Sequence, residues 1–365
     1  MAKKALLLRN SERQTFKRCR RQWRWAYVDR LKPKAEAPAL RFGDLIHRSL
    51  ADYYVPGTKR GDHPALTFER LYEEQLDEAA TFGFRDEDDS WHSAAEMGVA
   101  MLEGYVDEFE EAESVYSVIC SERPFRAPVR VGGQKVYVVG TIDGVWRDRA
   151  TKKILFKEFK TARTIALDGL PLDEQAGTYW TYGPAALRRE KILKPSDEPV
   201  GVLYTFLRKA LPDPRPKNSF GQYLNQPTVE EIASALRERG IEPGRAKKDD
   251  LVSRAEIAGI DVGQLGSVSK VQPSPLFHRE LVHRDEPERT RMHARVLAEI
   301  EDMLYVREDL DVRAYKNPGP LHAPNCRFCA FRDMCELEEV GADWEAMRDG
   351  TMVAWDPYDA HEERN

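Results

Sequence analysis

Residues 134–162 read QKVYVVGTIDGVWRDRATKKILFKEFKTA. Two β-rich runs, Lys135 to Arg147 and Lys153 to Lys160, flank the turn-forming Asp148-Arg149-Ala150. Asp143 falls near the end of the first run, and Glu158-Phe159-Lys160 lies on the second. Strand side chains alternate with period two, so Glu158 and Lys160 share a face. If the strands pair, Asp143 joins that face. Two carboxylates beside an ammonium suit phosphodiester chemistry: the carboxylates hold Mg²⁺ or Mn²⁺, and the ammonium orients water or meets developing charge. Acid-x-Lys is also a common exposed ion pair, but Ile154, Leu155, Phe156 and Phe159 argue for a partly buried strand, where unpaired charge is costly.

Outward from this stretch, Val115 to Ser121 and Val200 to Arg208 also read as strands, and Asp173 to Arg189 as a helix. Strand, strand, strand, helix, strand is an α/β core rather than a bundle. Upstream, Ser11 and Gln14 form the pattern of a capping box. Phe16, Cys19, Trp23, Ala26 and Tyr27 recur at helical spacing, which predicts Cys19 facing inward with the aromatics and the arginines facing out. Helices are predicted near 42–54 and 91–113, with no clear element in the acidic stretch up to Ser90. Downstream, two short helices at 228–239 and 248–258 loosely resemble SAP modules, and a long helix spans about 285–307. The expected division is an N-terminal helical region over residues 1–114, a core 115–210, an insertion 211–284, a C-terminal helix and Cys-rich region 285–345, and a tail 346–365. No internal repeat and no G-x-x-x-x-G-K-[ST] phosphate loop is present.

Of 365 residues, 41% are hydrophobic and 32% charged, which fits a water-soluble globular chain. The longest apolar runs are too short to span a bilayer, and Lys3-Lys4 precede too few apolar residues for a secretory signal. A cytoplasmic protein with no membrane partner is expected. The net charge of −6 opposes nucleic-acid binding, but residues 1–34 hold twelve Lys or Arg against Glu12 and Asp29. Phosphate contacts are local, so one basic face suffices. Within it Arg20, Arg21, Trp23, Arg24, Trp25 and Tyr27 could supply phosphate contacts and stacking, though several of them must be core.

Two further pieces lie outside the central stretch. His47 sits on an otherwise apolar predicted helix, and Gln175 and Tyr179, four apart, share a helix face. In chain order, Gly43-x-x-x-His47, Gly140-x-x-Asp143, Glu158-x-Lys160 and Gln175-x-x-x-Tyr179 resemble the RecB-like branch of the PD-(D/E)xK nucleases. The resemblance covers about residues 10–210. It implies a restriction-endonuclease-like α/β fold with a mixed central sheet flanked by helices. It also implies that Asp143, Glu158 and His47 form a Mg²⁺ or Mn²⁺ site, that Lys160 is catalytic, and that Gln175 and Tyr179 assist near the scissile phosphate. Glu122, at the end of the first strand, is a further acidic candidate.

Cys326-x-x-Cys329-x₅-Cys335 supplies three soft ligands within ten residues. Cys19 is the better fourth than Cys120, which sits mid-strand as a small core residue. Spacing alone leaves zinc and iron–sulfur both open. One N-terminal cysteine followed some three hundred residues later by C-x-x-C-x₅-C resembles the iron–sulfur pattern of the AddB nuclease subunit, the CRISPR-associated RecB-like exonucleases and exonuclease V. That likeness implies a [4Fe-4S] cluster joining the N- and C-terminal segments. The expectation is therefore a metal-dependent DNA exonuclease acting on ends, preferably single-stranded, in repair, recombination, phage or CRISPR-related processing. Recombination, helicase or CRISPR proteins are candidate partners, and the oligomeric state is left open. The alternatives are a non-catalytic DNA-end-binding scaffold with a degenerate nuclease fold, and a zinc-stapled DNA-binding protein.

Overall fold

The Val136–Val139 run, apolar on both faces, forms the central strand of a mixed sheet. The computed structural model describes residues 6–34, 38–81, 86 and 89–361. The chain divides into two compact units, 1–209 with 277–365, and 210–276. The larger unit opens with β1 (Leu6–Arg9), α1 (Asn10–Arg18), α2 (Arg20–Trp23), a π-helical turn (Arg24–Val28) and β2 (Leu31–Pro33). Helices α3 (Pro38–Tyr53), α4 (Pro64–Thr81) and α5 (Ser90–Glu113) precede the strands β3 (Tyr116–Val131), β4 (Gln134–Asp148) and β5 (Ile154–Ala162). Then come α6 (Glu174–Arg189) and β6 (Pro199–Arg208). The smaller unit packs α7 (Val229–Glu238) on α8 (Lys248–Ile257) around Ile232, Leu236, Leu251 and Ala255, with a Thr228–Glu231 capping box opening α7. The larger unit resumes with β7 (Phe277–His283), α9 (Glu286–Arg307), α10 (Leu310–Arg313), α11 (Arg332–Glu339), α12 (Trp344–Thr351) and β8 (Met352–Ala354).

The main sheet runs β1-β4-β5-β6-β7, with β3 also paired to β4. One edge of β4 is covered along its length by antiparallel β3, from Val131↔Gln134 to Tyr116↔Asp148. The other edge is shared. Parallel β1 takes residues 136–139, and antiparallel β5 takes 144–147. Residues 140–143 lie in the fork between these two partners, and the assembly of the site follows from that fork. Side chains on one face of β4 and β5 (Val136, Ile142, Phe156) join a core with α6 and α9; those on the other face (Trp146, Phe159) join a second core with α3, α4 and α5. With both faces covered, even Lys157 is fully buried, beside Glu113 and Thr205.

Several expectations need correction. The helix starts at Asn10 with Arg9 as its cap residue and no side-chain cap, so Ser11 and Gln14 lie inside α1 rather than forming a capping box. Cys19 is not on a continuous helix face: its backbone is extended (φ −159°, ψ 114°) and breaks the helix between α1 and α2. Nor do the arginines all face out. Arg13 is buried and bonds Asn10, Thr178 and Glu299. Arg21 pairs with Glu338 and Glu339, Arg24 with Asp311, and Arg30 with Asp356. Trp23 and Trp25 are among the residues that belong to the core. The C-terminal segment neutralises much of the basic N-terminus. Residues 277–283, expected within the insertion, are instead a strand of the main sheet. Among the described residues, no helix is long and apolar enough to cross a membrane.

Candidate active site

Asp143 stands in the fork of β4, and its carboxylate accepts the Phe159 backbone N–H at 2.7 Å. A side chain there takes the place of a strand carbonyl, leaving the carboxylate 8% exposed at the junction of three strands. Gly140, at the start of the fork, has no Cβ because none fits. One would come within 2.6 Å of Tyr179 Cε1 and 2.9 Å of Phe125 Cε1. The small residue thus admits the Tyr179 ring from α6.

α3 brings His47 to Asp143. The His47 Nδ1 lies 3.4 Å from Asp143 Oδ2 and 3.6 Å from Glu122 Oε1. One ligand atom from each of these three residues lies within 4.8 Å of the other two, a spacing that suits a single metal ion. Glu122 reaches the group at a conformational cost: its φ of 40° is in the left-handed region that non-glycine residues avoid. Burial disfavours the charged His47 ring, but the Asp143 and then the Glu122 carboxylates outweigh it and hold its pKa well above the ordinary value.

Period-two alternation on β5 puts Glu158 and Lys160 on the α6 side. Glu158 is only 2% exposed. Lys160 Nζ donates to Glu158 Oε1 at 2.7 Å and to Gln175 Oε1 at 3.1 Å. Gln175 Nε2 donates to Glu158 Oε1 at 3.0 Å and to the Tyr179 hydroxyl at 3.4 Å. Burial, followed by the neighbouring Asp143 charge, pushes the Glu158 carboxyl up to about 8. Burial opposes the Lys160 ammonium, yet Glu158 and then Asp173 raise its pKa above the ordinary value. Burial, then Glu158 and Asp143, keep Tyr179 protonated far beyond its usual range.

All seven nuclease-site residues singled out in the sequence therefore occupy one locality, as two linked groups: His47, Glu122 and Asp143, then Glu158, Lys160, Gln175 and Tyr179. Asp173 was missed. It caps α6 by accepting the Gln175 N–H at 2.9 Å, accepts the Tyr204 hydroxyl at 3.1 Å, and lies 3.9 Å from Lys160 Nζ. An N-cap aspartate two residues before Gln175 was the available signal.

The cysteines named for the second site also converge. Cys19, Cys326, Cys329 and Cys335 line one cavity of about 770 Å³, and none forms a disulfide. The break at Cys19 turns its sulfur to the C-terminal segment, where it accepts the Asn317 N–H at 3.4 Å. Cys335 accepts from Arg21 Nη1 at 3.8 Å. Cys120 lies away on β3, at a bulge, with burial raising its thiol to about 11.

A mixed sheet presenting two carboxylates and a lysine beside a histidine–carboxylate group that could hold a metal ion suits a metal-dependent nuclease. The family model of the PD-(D/E)XK nuclease superfamily matches residues 10–336, and the chain belongs to that superfamily. Membership implies a hydrolytic nuclease using divalent metal on DNA. No curated protein sequence matches the chain. Among solved structures, that of SSO0001 is similar at 11% identity and a TM-score of 0.29, over 83% of this chain and 97% of that one. So slight a likeness says nothing about function.

Proposed function

We propose that this protein is a DNA exonuclease that hydrolyses phosphodiester bonds from single-stranded ends in DNA processing, using Mg²⁺ or Mn²⁺. The observation that carries the reading is the pairing of the His47–Glu122–Asp143 group with the Lys160–Glu158–Gln175 hydrogen-bond set. His47, Glu122, Asp143 and Glu158 would hold the metal. The donor set fits: hard oxygens dominate, and Glu158, raised to about 8 by burial and the Asp143 charge, gains from a neighbouring cation. When bound, the ion polarises the phosphate and lowers the pKa of water. Lys160, held by two acceptors, presents an ammonium to the non-bridging oxygens or to the attacking water. Gln175 fixes both Lys160 and Tyr179, and the protonated Tyr179 hydroxyl is free to donate to a phosphate oxygen. Candidate partners remain a helicase, recombination or CRISPR protein.

We further propose that Cys19, Cys326, Cys329 and Cys335 hold a [4Fe-4S] cluster with a structural role. A single tetrahedral zinc at about 2.3 Å from each sulfur would hold the sulfurs only about 3.8 Å apart. Among the described residues no three cysteine sulfurs lie within 4.8 Å of one another. A cuboidal cluster, which sets its thiolates farther apart, suits that spacing better. Crosslinking residues so distant in sequence would remove denatured-state entropy equivalent to roughly 5–6 kcal/mol on the loop-closure estimate.

The test is digestion of end-labelled single- and double-stranded DNA by anaerobically purified protein and by Glu158→Ala, with Mg²⁺, Mn²⁺ or EDTA. Metal-dependent shortening from an end, abolished by the substitution, is expected, and so is visible cluster absorption that disappears in Cys329→Ala. Binding without any cutting would replace the nuclease reading with the scaffold one. A colourless protein containing zinc would replace the cluster.

A further inference from the structure

A second cavity lies between α6 and α9, outside the nuclease site. Successive helix residues turn by about 100°. Gly177 therefore faces away from Gln175 and Tyr179, which share the catalytic side of α6, and Trp180 lies about 100–140° round the helix from them. The cavity has a volume of about 120 Å³ and is lined by Gly177, Trp180, Arg284, Arg291, Met292 and Arg295, with Glu288 at its side. Gly177 is required at its floor, since a Cβ would approach Met292 Cε to 2.5 Å.

Its polar atoms are oddly unsatisfied. Trp180 is 3% exposed, yet its indole N–H has no hydrogen-bond partner. The Arg284 side chain is 4% exposed, and its Nε–H is also unpartnered. Leaving buried donors unmade costs free energy, so such atoms call for a ligand or solvent. The remaining Arg284 donors are engaged: Nη1 bonds the Pro171 carbonyl at 3.0 Å and lies 3.7 Å from Glu288, and Nη2 bonds the Leu170 carbonyl at 3.2 Å. Arg291 has no ion-pair partner among the described residues, while Arg295 lies 3.6 Å from Glu174. With Glu288 set against Arg284 and Glu174 against Arg295, the guanidinium of Arg291 leaves the pocket positive.

We propose that this pocket binds a phosphate group, with the Trp180 indole N–H and the Arg284 Nε–H as buried donors and Arg291 as the entering cation. Planar guanidinium donors and a neutral N–H match a tetrahedral oxyanion. The cavity has room for such an oxyanion and none for a base and its sugar. The phosphate has two sources: a diester of a nucleic-acid chain, or free phosphate. Arg284 also holds the carbonyls of the turn that leads into Asp173 and the catalytic helix, so an occupant would brace that turn. The inference does not depend on the nuclease reading.

The experiment uses full-length, metal-free protein in EDTA, so that no turnover intervenes. The chain has seven tryptophans. The indole ¹⁵N–¹H signal absent from Trp180→Phe identifies Trp180. Inorganic phosphate, or a hydroxyl-ended single-stranded oligonucleotide, is then titrated against a chloride control of equal ionic strength. The Trp180 signal is expected to shift and saturate with one of them: phosphate points to the free ion, the oligonucleotide alone to a chain diester. In Arg291→Gln, an exposed substitution, the midpoint is expected to rise at least tenfold. A signal that stays put with both ligands, moves equally with chloride, or titrates unchanged in Arg291→Gln overturns the proposal. A protein that binds phosphate here but never cuts DNA would sink only the nuclease reading.

Discussion

The carboxylate of Asp143 accepts the backbone N–H of Phe159, the residue between Glu158 and Lys160, at 2.7 Å. One oxygen therefore ties β4 to β5 at the point where their strand pairing has ended, and the same oxygen, Oδ2, lies 3.4 Å from His47. The two duties separate by substitution. Asp143→Asn keeps an acceptor for Phe159 and loses the charge; Asp143→Ala loses both. Both variants should lose about 10²–10³ in metal-dependent cleavage, by analogy with removal of one stabilising group. Urea unfolding should show Asp143→Ala less stable than Asp143→Asn by about 1–2 kcal/mol, the cost of an unmade buried hydrogen bond. Equal stabilities would mean the Phe159 bond contributes nothing.

Glu158 sets a pH dependence. Its carboxyl titrates at about 8 in the folded chain against an ordinary 4.5. The raised value favours folding fully below the ordinary pKa, and the advantage is lost as pH rises through about 8. In EDTA, the melting temperature of the wild type should fall between about pH 5 and pH 8 more steeply than that of Glu158→Gln. Parallel slopes would assign the dependence to other groups.

Gly140→Ala places a Cβ 2.6 Å from Tyr179 Cε1 and 2.9 Å from Phe125 Cε1. Both rings are packed, so relief requires moving α6 or distorting the fork. A loss of about 1–3 kcal/mol is expected, as for other overpacked sites, together with a fall in cleavage rate larger than that of an equally destabilised core variant. Kinetics at a temperature where both variants are fully folded decide the point.

How much of the molecule is legible from its sequence follows from period and length. The β4 and β5 strands were readable as long β-rich runs bounded by a turn, and the shared face of Glu158 and Lys160 followed from the period-two geometry of any strand. β1 was not, since three leucines and an arginine give no period, and its pairing with β4 is a long-range parallel contact. β7 was hidden because its edge position leaves FHRELVH half polar. α4 was hidden by acidic residues on its exposed face, although Phe68, Leu71 and Tyr72 are buried. Cys19 was misplaced because helical spacing through residues 16–27 continues across a backbone break, at which its sulfur accepts the N–H of the distant Asn317. Glu122 was weak in the sequence because its neighbours on β3 form no motif with it.

Arg13 tests the docking of α1. It is 1% exposed and joins Thr178 on α6 at 2.8 Å to Glu299 on α9 at 2.5 Å. Arg13→Met fills the volume but leaves Glu299 with only Lys17, at 3.1 Å, and strips Thr178 of a donor, so a loss of about 1–3 kcal/mol is expected. Calorimetric unfolding would reveal it, and adding Glu299→Leu should recover some of the loss. No recovery would mean that Arg13 acts through packing rather than charge.

The left-handed backbone of Glu122 carries a broader meaning. A glycine at this position would be at ease with φ 40°, whereas a glutamate bears a penalty of about 1 kcal/mol or more. Glu122→Gly should therefore melt higher than the wild type in EDTA while binding Mn²⁺ more weakly and cleaving more slowly. Selection for stability alone would discard this glutamate, so its presence marks a compromise in which the chain accepts a less comfortable fold to keep an oxygen beside His47.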